Sequence, residues 1–190
     1  MAEGERGRWV HGLEFPICSF DLRTGVLCPK CERKLQTGEI TETDIAVMRI
    51  LSELEKNLPP LSLTTYVKSI RYDSNLFVLF KDGDLNKLNP NQQAALRKRL
   101  SEAIGLKVRL LENSRDPYAF IQRLLAPARI EAINKIWLPD QSEEIRVVLD
   151  DERLLKINPE AVAYVAGAVK GLKVRLGFRR RFSRARSKIH

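Results

Sequence analysis

The sequence predicts an α+β protein in which two small units follow one another, each running helix, strand, strand, helix, helix, strand, behind an N-terminal cysteine module and a helix. Three observations predict it. The hexapeptide Gly105-Leu106-Lys107-Val108-Arg109-Leu110 recurs letter for letter at Gly171-Leu172-Lys173-Val174-Arg175-Leu176. A second shared phrase precedes each copy, Lys87-Leu88-Asn89-Pro90 in one case and Lys156-Ile157-Asn158-Pro159 in the other. Around both copies, apolar residues change between the alternation of strands and the three-to-four residue spacing of helices. The phrases are 69 residues apart at Asn-Pro (89 to 158) and 66 at the hexapeptide (105 to 171), so the second unit is three residues shorter in between. Two copies with this period describe a duplicated small domain rather than a solenoid.

A chain of 190 residues accommodates such a duplication, and 44% hydrophobic with 30% charged residues describes a soluble globular protein. No apolar run approaches the ~20 residues of a membrane helix, and the opening residues Met1 to Arg6 have no apolar core of a signal peptide, so the expectation is a cytoplasmic protein without a membrane partner. The net charge is +9, but Lys173, Arg175, Arg179, Arg180, Arg181, Arg184, Arg186 and Lys188 supply +8 of it within residues 171–190, where no Asp or Glu stands. Everything before Gly171 therefore carries +1. A near-neutral body with a cationic tail points to a polyanion reached by the tail.

The expected organisation is an N-terminal segment and cysteine module (1–40), a helix (41–60), a first unit (61–112), a second unit (113–178) and a basic tail (179–190). In the first segment, Cys28-Pro29-Lys30-Cys31 is the turn that zinc knuckles use, in which two thiolates converge on one ion, and Cys18 is a third candidate ligand. His11, Asp21 and Glu32 are candidates for the fourth position, and no spacing selects among them. A Cys28–Cys31 or Cys18–Cys28 disulfide, or plain buried thiols, are the alternatives to zinc. A redox Cys-x-x-Cys fits less well, because no strand-then-helix context precedes it.

From Thr41 to Asn57, Ile45, Met48, Leu51, Leu54 and Leu58 repeat at helical spacing, Thr41 and Asp44 form a capping box, and Pro59-Pro60 ends the helix. The first unit opens with a hairpin, β-forming residues 64–72 and 76–80 around the turn residues Asp73-Ser74-Asn75. A short helical turn at Leu85 to Leu88 follows, and Asn89 caps a helix whose first residue is Pro90. That helix turns Ala95, Leu96, Leu100 and Ile104 to a core and stops at Gly105. Val108 and Leu110, alternating with Lys107 and Arg109, make a strand with one buried face. The second unit repeats the order. Its elements are a helix from Asp116-Pro117 to Leu125, a hairpin from Ile130 to Leu138 and Glu144 to Leu149, a short turn at Leu154 to Ile157, a helix from Pro159 to Lys170, and a strand from Leu172 to Phe178.

Asp116-Pro117-x2-Phe120-Ile121-x3-Leu125-Ala126-Pro127-Ala128, followed by an alternating hairpin and an x-Val-Arg-Leu strand, resembles the second KH domain of NusA-type transcription factors. The resemblance extends over residues 61–178 and implies two tandem KH-like units of the type II order α-β-β-α-α-β, with RNA as partner. The cysteine module is not part of bacterial NusA and fits an archaeal relative. A KH domain grips single-stranded nucleic acid with a Gly-x-x-Gly loop between adjacent helices, where glycine lets backbone N–H groups approach phosphate. Here those junctions read Asn89-Pro90-Asn91-Gln92 and Asn158-Pro159-Glu160-Ala161, without glycine and with an acid in the second. The clamp is therefore expected to be lost. The units become a scaffold, and RNA contact falls to Lys107, Arg109, Lys173, Arg175 and the tail residues Arg179, Arg180, Arg181, Phe182, Arg184, Arg186 and Lys188.

Nothing in the sequence supports catalysis or a small-molecule substrate. The two histidines, His11 and His190, stand near opposite ends, and no Walker or Rossmann glycine loop is present. Three functions are compatible with these features: an RNA-binding accessory factor of the transcription elongation or termination machinery working with RNA polymerase; a ribosome-associated structural or assembly protein binding rRNA; and a protein adaptor in which the tail is secondary.

Overall fold

Helical and alternating stretches fold into an α+β protein with two three-stranded mixed sheets, and the structure, a computed structural model describing residues 12–178, divides between Arg115 and Asp116 into two units. The first holds α1 (Ser19–Thr24), α2 (Pro29–Gln36), α3 (Glu42–Glu55), a 3-10 turn (Pro59–Leu63), β1 (Tyr66–Tyr72), β2 (Asn75–Lys81), a second 3-10 turn (Asp84–Lys87), α4 (Pro90–Ile104) and β3 (Lys107–Asn113). The second holds α5 (Pro117–Leu125), β4 (Ile130–Trp137), β5 (Glu143–Leu149), a 3-10 turn (Glu152–Leu154), α6 (Pro159–Lys170) and β6 (Lys173–Phe178).

Each sheet has the hairpin antiparallel and its last strand parallel to the second hairpin strand, in the orders β1-β2-β3 and β4-β5-β6. The helix between the second and third strands provides the crossover that a parallel pair requires. The registers repeat as well. Val108 pairs with Leu76 and Arg109 with Phe77, while Val174 pairs with Ile145 and Arg175 with Arg146. The hexapeptide is thus the start of the same strand in the same register twice. Its leading glycine is the helix stop: Gly105 and Gly171 adopt φ of 74° and 66°, a left-handed cap that a side chain disfavours.

In the first unit one apolar cluster joins the cysteine module to the sheet. Ile17, Leu22, Cys31 and Ile40 pack with Val47, Met48 and Leu51 of α3, Leu76, Val78 and Phe80 of β2, and Leu96 and Leu100 of α4. The buried stripe of α3 centres on Val47, Met48 and Leu51, with Ile45 and Leu54 partly buried at its edges. In α4, Leu96 and Leu100 are buried, Ile104 is partly buried, and Ala95 faces solvent. β2 is buried on both faces from Leu76 to Phe80, which accounts for its unbroken apolar run.

The capping box at Thr41 and Asp44 does more than start α3. One Asp44 oxygen accepts from the Thr41 N–H and hydroxyl, both at 2.7 Å, and the other accepts from the Tyr66 hydroxyl and the Ser69 N–H, both at 2.5 Å. Tyr66 also meets the Ser69 hydroxyl at 2.6 Å. Burial, reinforced by the Asp44 charge, pushes the Tyr66 phenol well above its usual range and keeps it a donor.

The second unit follows the same plan. α5 buries Phe120, Ile121, Leu124 and Leu125, and α6 buries Ala161, Val162, Val165 and Ala166 and packs along β6. Its 3-10 turn begins earlier than the apolar pattern predicts, because the Asp151 side chain accepts from the Arg153 N–H at 3.0 Å and starts the turn there. No helix among the described residues is long and apolar enough to cross a membrane.

Asp44→Ala leaves the Tyr66 hydroxyl and the Ser69 N–H buried without their acceptor, so it is expected to lower stability by about 3 kcal/mol. Tyr66→Phe removes one donor and costs about 1 kcal/mol. Urea unfolding followed by circular dichroism measures both, and equal midpoints for Asp44→Ala and the parent chain would rule out the role given to Asp44.

Candidate functional site

Two short helices bring the cysteines together. Cys18 precedes α1 and Asp21 lies in its first turn; Cys28 precedes α2 and Cys31 lies in its first turn. The sequence suggests a knuckle turn at Cys28-Pro29-Lys30-Cys31, but the turn continues as a helix because Pro29 occupies its first position with a compatible φ. Paired spacings of three residues on two helix starts point four donor atoms at one another. Ligand atoms of Cys18, Asp21, Cys28 and Cys31 all lie within 4.8 Å of each other. The Cys18 sulfur is 3.7 Å from that of Cys31 and 4.0 Å from that of Cys28, and all three thiols are free.

Three cysteines and an aspartate are close enough to hold a metal ion. An ion about 2.3 Å from each sulfur in a tetrahedron separates the sulfurs by about 3.8 Å, the spacing found here. Of the candidates for the fourth position among the described residues, Asp21 lies in the group and Glu32 does not. Glu32 is exposed and outside the group, and His11 lies outside the described residues. Asp21 is 2% exposed, and one of its oxygens accepts from the Cys28 N–H at 3.1 Å. Hydrogen bonding from the Cys31 thiol, then from the Cys28 N–H, holds the Asp21 carboxyl below the usual carboxylate range. Burial, then the Asp21 hydrogen bond, pushes the Cys31 thiol up to about 12. Without an ion the Cys31 thiol is protonated and its S–H donates to the Cys18 sulfur at 3.7 Å; a cation entering the group would take that proton's place.

The cationic candidates fall in different settings. Lys107 is exposed at the start of β3 and lines a cleft of about 400 Å³ with Arg97, Lys98 and Glu102. Arg109 is half-buried, and burial together with neighbouring Arg97 lowers its pKa. Lys173 and Arg175 are both exposed on β6; the Lys173 ammonium donates to the Ser142 hydroxyl at 3.1 Å and Arg175 sits 3.5 Å from Glu144. Arg179, Arg180, Arg181, Phe182, Arg184, Arg186 and Lys188 lie outside the described residues. Arg146, which is not among the sequence-derived candidates, stands in register between Asn134 and Arg175. Its signal is the period-two alternation of β5, in which buried Ile145, Val147 and Leu149 turn Arg146 outward.

Both helix junctions are closed by asparagine. The Asn89 side chain accepts from the Gln92 N–H at 2.8 Å while the Gln92 side chain accepts from the Asn89 N–H at 2.9 Å. At the second junction the Asn158 side chain accepts from the Glu160 N–H at 2.9 Å. These caps occupy amide donors that an anion at either helix start would use.

No family model matches the chain, and no curated protein matches it. Among solved structures it is similar to one described as "Crystal structure of APE1850", with 18% identity and a TM-score of 0.50, over 70% of this chain and 96% of that one. The likeness is one of fold alone.

The donor geometry predicts that the reduced chain binds one equivalent of a divalent metal, that Cys31→Ser loses it, and that Glu32→Gln keeps it. Metal analysis after gel filtration measures this, and a full equivalent retained by Cys31→Ser would exclude the cluster as the site.

Proposed function

We propose that this chain is a non-catalytic, cytoplasmic, RNA-binding accessory factor of the transcription elongation or termination machinery, similar to NusA, with zinc in its cysteine cluster. The supporting observation is the duplicated order of helix, antiparallel hairpin, short turn, helix and parallel strand, with identical pairing of the hexapeptide in both sheets. This is the order that the KH resemblance implies. Both units are read as KH-like scaffolds that have lost the loop clamp, since Asn89 and Asn158 occupy the amides that would hold phosphate and Glu160 adds an acid beside the second.

On this reading the grip on RNA passes to cations outside the junctions. Residues 171–190 hold eight Lys and Arg and no acid, which supports a phosphate-dominated mode in which counterion release drives binding. Three thiolates with one carboxylate suit zinc, which favours sulfur and accepts four-coordinate tetrahedral sites. With every position filled by protein and none left for water, such an ion would be structural, fastening α1 to α2 rather than activating a substrate.

Binding of the full chain to fluorescent single-stranded RNA is expected to weaken steeply as salt rises. Deleting residues 179–190 is expected to flatten that dependence by about 0.7 in log-log slope for each phosphate that the tail neutralises. Affinity that is absent at low salt would overturn the RNA reading. Co-purification with RNA polymerase subunits is the expected partner result, whereas recovery with ribosomal subunits at high salt would overturn the transcription assignment. Zinc as the metal in the native protein is the expected elemental result.

A further inference from the structure

The two sheets share one plan but differ in the central row of their outer faces. In the first unit the residues alternating with the Val78 and Phe80 side of β2 include the buried apolar Ile70, Phe77, Leu79 and Leu111, with Arg109 half-buried among their row and Asn75 and exposed Lys107 in the row beside it. In the second unit two of the corresponding positions are polar and exposed, Asn134 for Ile70 and Arg146 for Phe77, while Val148 and Gly177 stand for Leu79 and Leu111. Asn134, Arg146 and Arg175 form one in-register row, and Glu144 and Lys173 form the row beside it. Arg146 takes the place of Phe77, as the matching pairs Phe77–Arg109 and Arg146–Arg175 require.

We infer that this open face of β4, β5 and β6 is a binding platform for single-stranded RNA, replacing the loop clamp that the second unit lacks. The inference rests on the RNA reading above and specifies where on the described structure the strand lies. Charge carries the first part of the argument. Arg146, Lys173 and Arg175 share this face with Glu144, whose side chain is 15% exposed against 72% for its partner Arg175, and Lys173 also lies near the Asp140 carboxylate through Ser142. The arginine side of this ion pair is open to solvent, so a phosphate has access to the Arg175 guanidinium. The remaining positions carry the second part. Ile136 and Val148 are half-buried on the same face, and Gly177 lies beside Val148 in register. A Cβ at Gly177 would rest in ordinary van der Waals contact with the Arg146 side chain, 3.9 Å from its Nε, so the Arg146 side chain passes close over β6 at this point. Aliphatic patches between flat guanidinium groups suit unstacked bases, which a duplex would not present. Finally, β6 is an edge strand of this sheet and ends at Phe178, after which the sequence continues Arg179-Arg180-Arg181.

The test compares the full-length protein with R146Q/R175Q and with R153Q/K156Q, a pair of equal charge change beside the Asn158 cap. Binding to single-stranded RNA is titrated over a range of salt, and melting temperature checks that each variant folds. The platform predicts about a tenfold loss of affinity for R146Q/R175Q and a log-log salt slope shallower by about 1.4, with R153Q/K156Q close to the parent. Parent-like affinity and slope in R146Q/R175Q, alongside weaker binding on deleting residues 179–190, would overturn the platform while leaving the RNA reading standing. A larger loss in R153Q/K156Q would place the RNA at the helix junction and overturn it as well. Unchanged RNA affinity with loss of polymerase co-purification would make the face a protein-docking surface instead. If the parent itself binds no RNA, the reading beneath the inference fails first.

Discussion

The Asp44 carboxylate sets where the first unit can put everything else. It is buried, accepts from the start of its own helix on one oxygen and from Tyr66 and Ser69 of β1 on the other, and so fixes α3 against the sheet at one end. Because Tyr66 donates to Asp44, the Ser69 hydroxyl donates to Tyr66, and each buried polar atom in the group is satisfied. A carboxylate with fewer donors would be costly to bury; with four it specifies one register of helix on strand. The cysteine module depends on that placement, because Leu22 and Cys31 pack into the same apolar cluster as Val47, Met48 and Leu51. A second buried acid, Asp84, works in the same way, accepting from the Thr65 N–H at 2.7 Å and pairing with Lys87 at 2.6 Å.

Local chemistry made most of the element order legible. Thr41 with Asp44, Asn89 with Pro90, and Asn158 with Pro159 mark helix starts by side chains that accept amide protons, and Gly105 and Gly171 mark helix ends by backbone geometry. Such signals act over a few residues and survive in any tertiary context. What could not be read was non-local. Whether β3 runs parallel or antiparallel to β2 depends on the α4 crossover, and the helical form of Ser19–Thr24 and Pro29–Gln36 depends on burial of Leu22 and Cys31. Spacing alone could not choose among His11, Asp21 and Glu32, because Asp21 enters the cysteine group through its position three residues after Cys18 on α1, and α1 leaves no periodic signal in the sequence.

Duplication followed by divergence explains why identical hexapeptides sit in unlike environments. The pairing of Val108 with Leu76 and of Val174 with Ile145 preserves the inner face, where a change would disturb packing in both units. The outer face is free to change with its surroundings. Phe77 suits a buried surface and Arg146 an open one, and with that exchange the same Lys-x-Arg pattern gives a half-buried Arg109 in one unit and an exposed Arg175 in the other. The repeat therefore reports the fold, and the residue paired with each arginine reports how exposed that arginine is.

The cysteine cluster has a comparable division of labour. Small zinc modules that lack an apolar core are unfolded without their ion. Here Leu13, Ile17, Leu22, Cys31 and Ile40 already share a core with α3 and β2, so burial of apolar surface holds the module in place. What apolar packing does not fix is the approach of α1 to α2. These helices have six and eight residues, too few to persist by helix propensity alone, and α1 leaves Phe20 65% exposed. An ion bound by one cysteine at the start of each helix, and by Asp21 and Cys31 one turn further on, would constrain the degrees of freedom that the core leaves open. Metal loss should then loosen α1 and α2 while leaving the Asp44 network and the sheet intact, because those contacts share no atoms with the metal ligands.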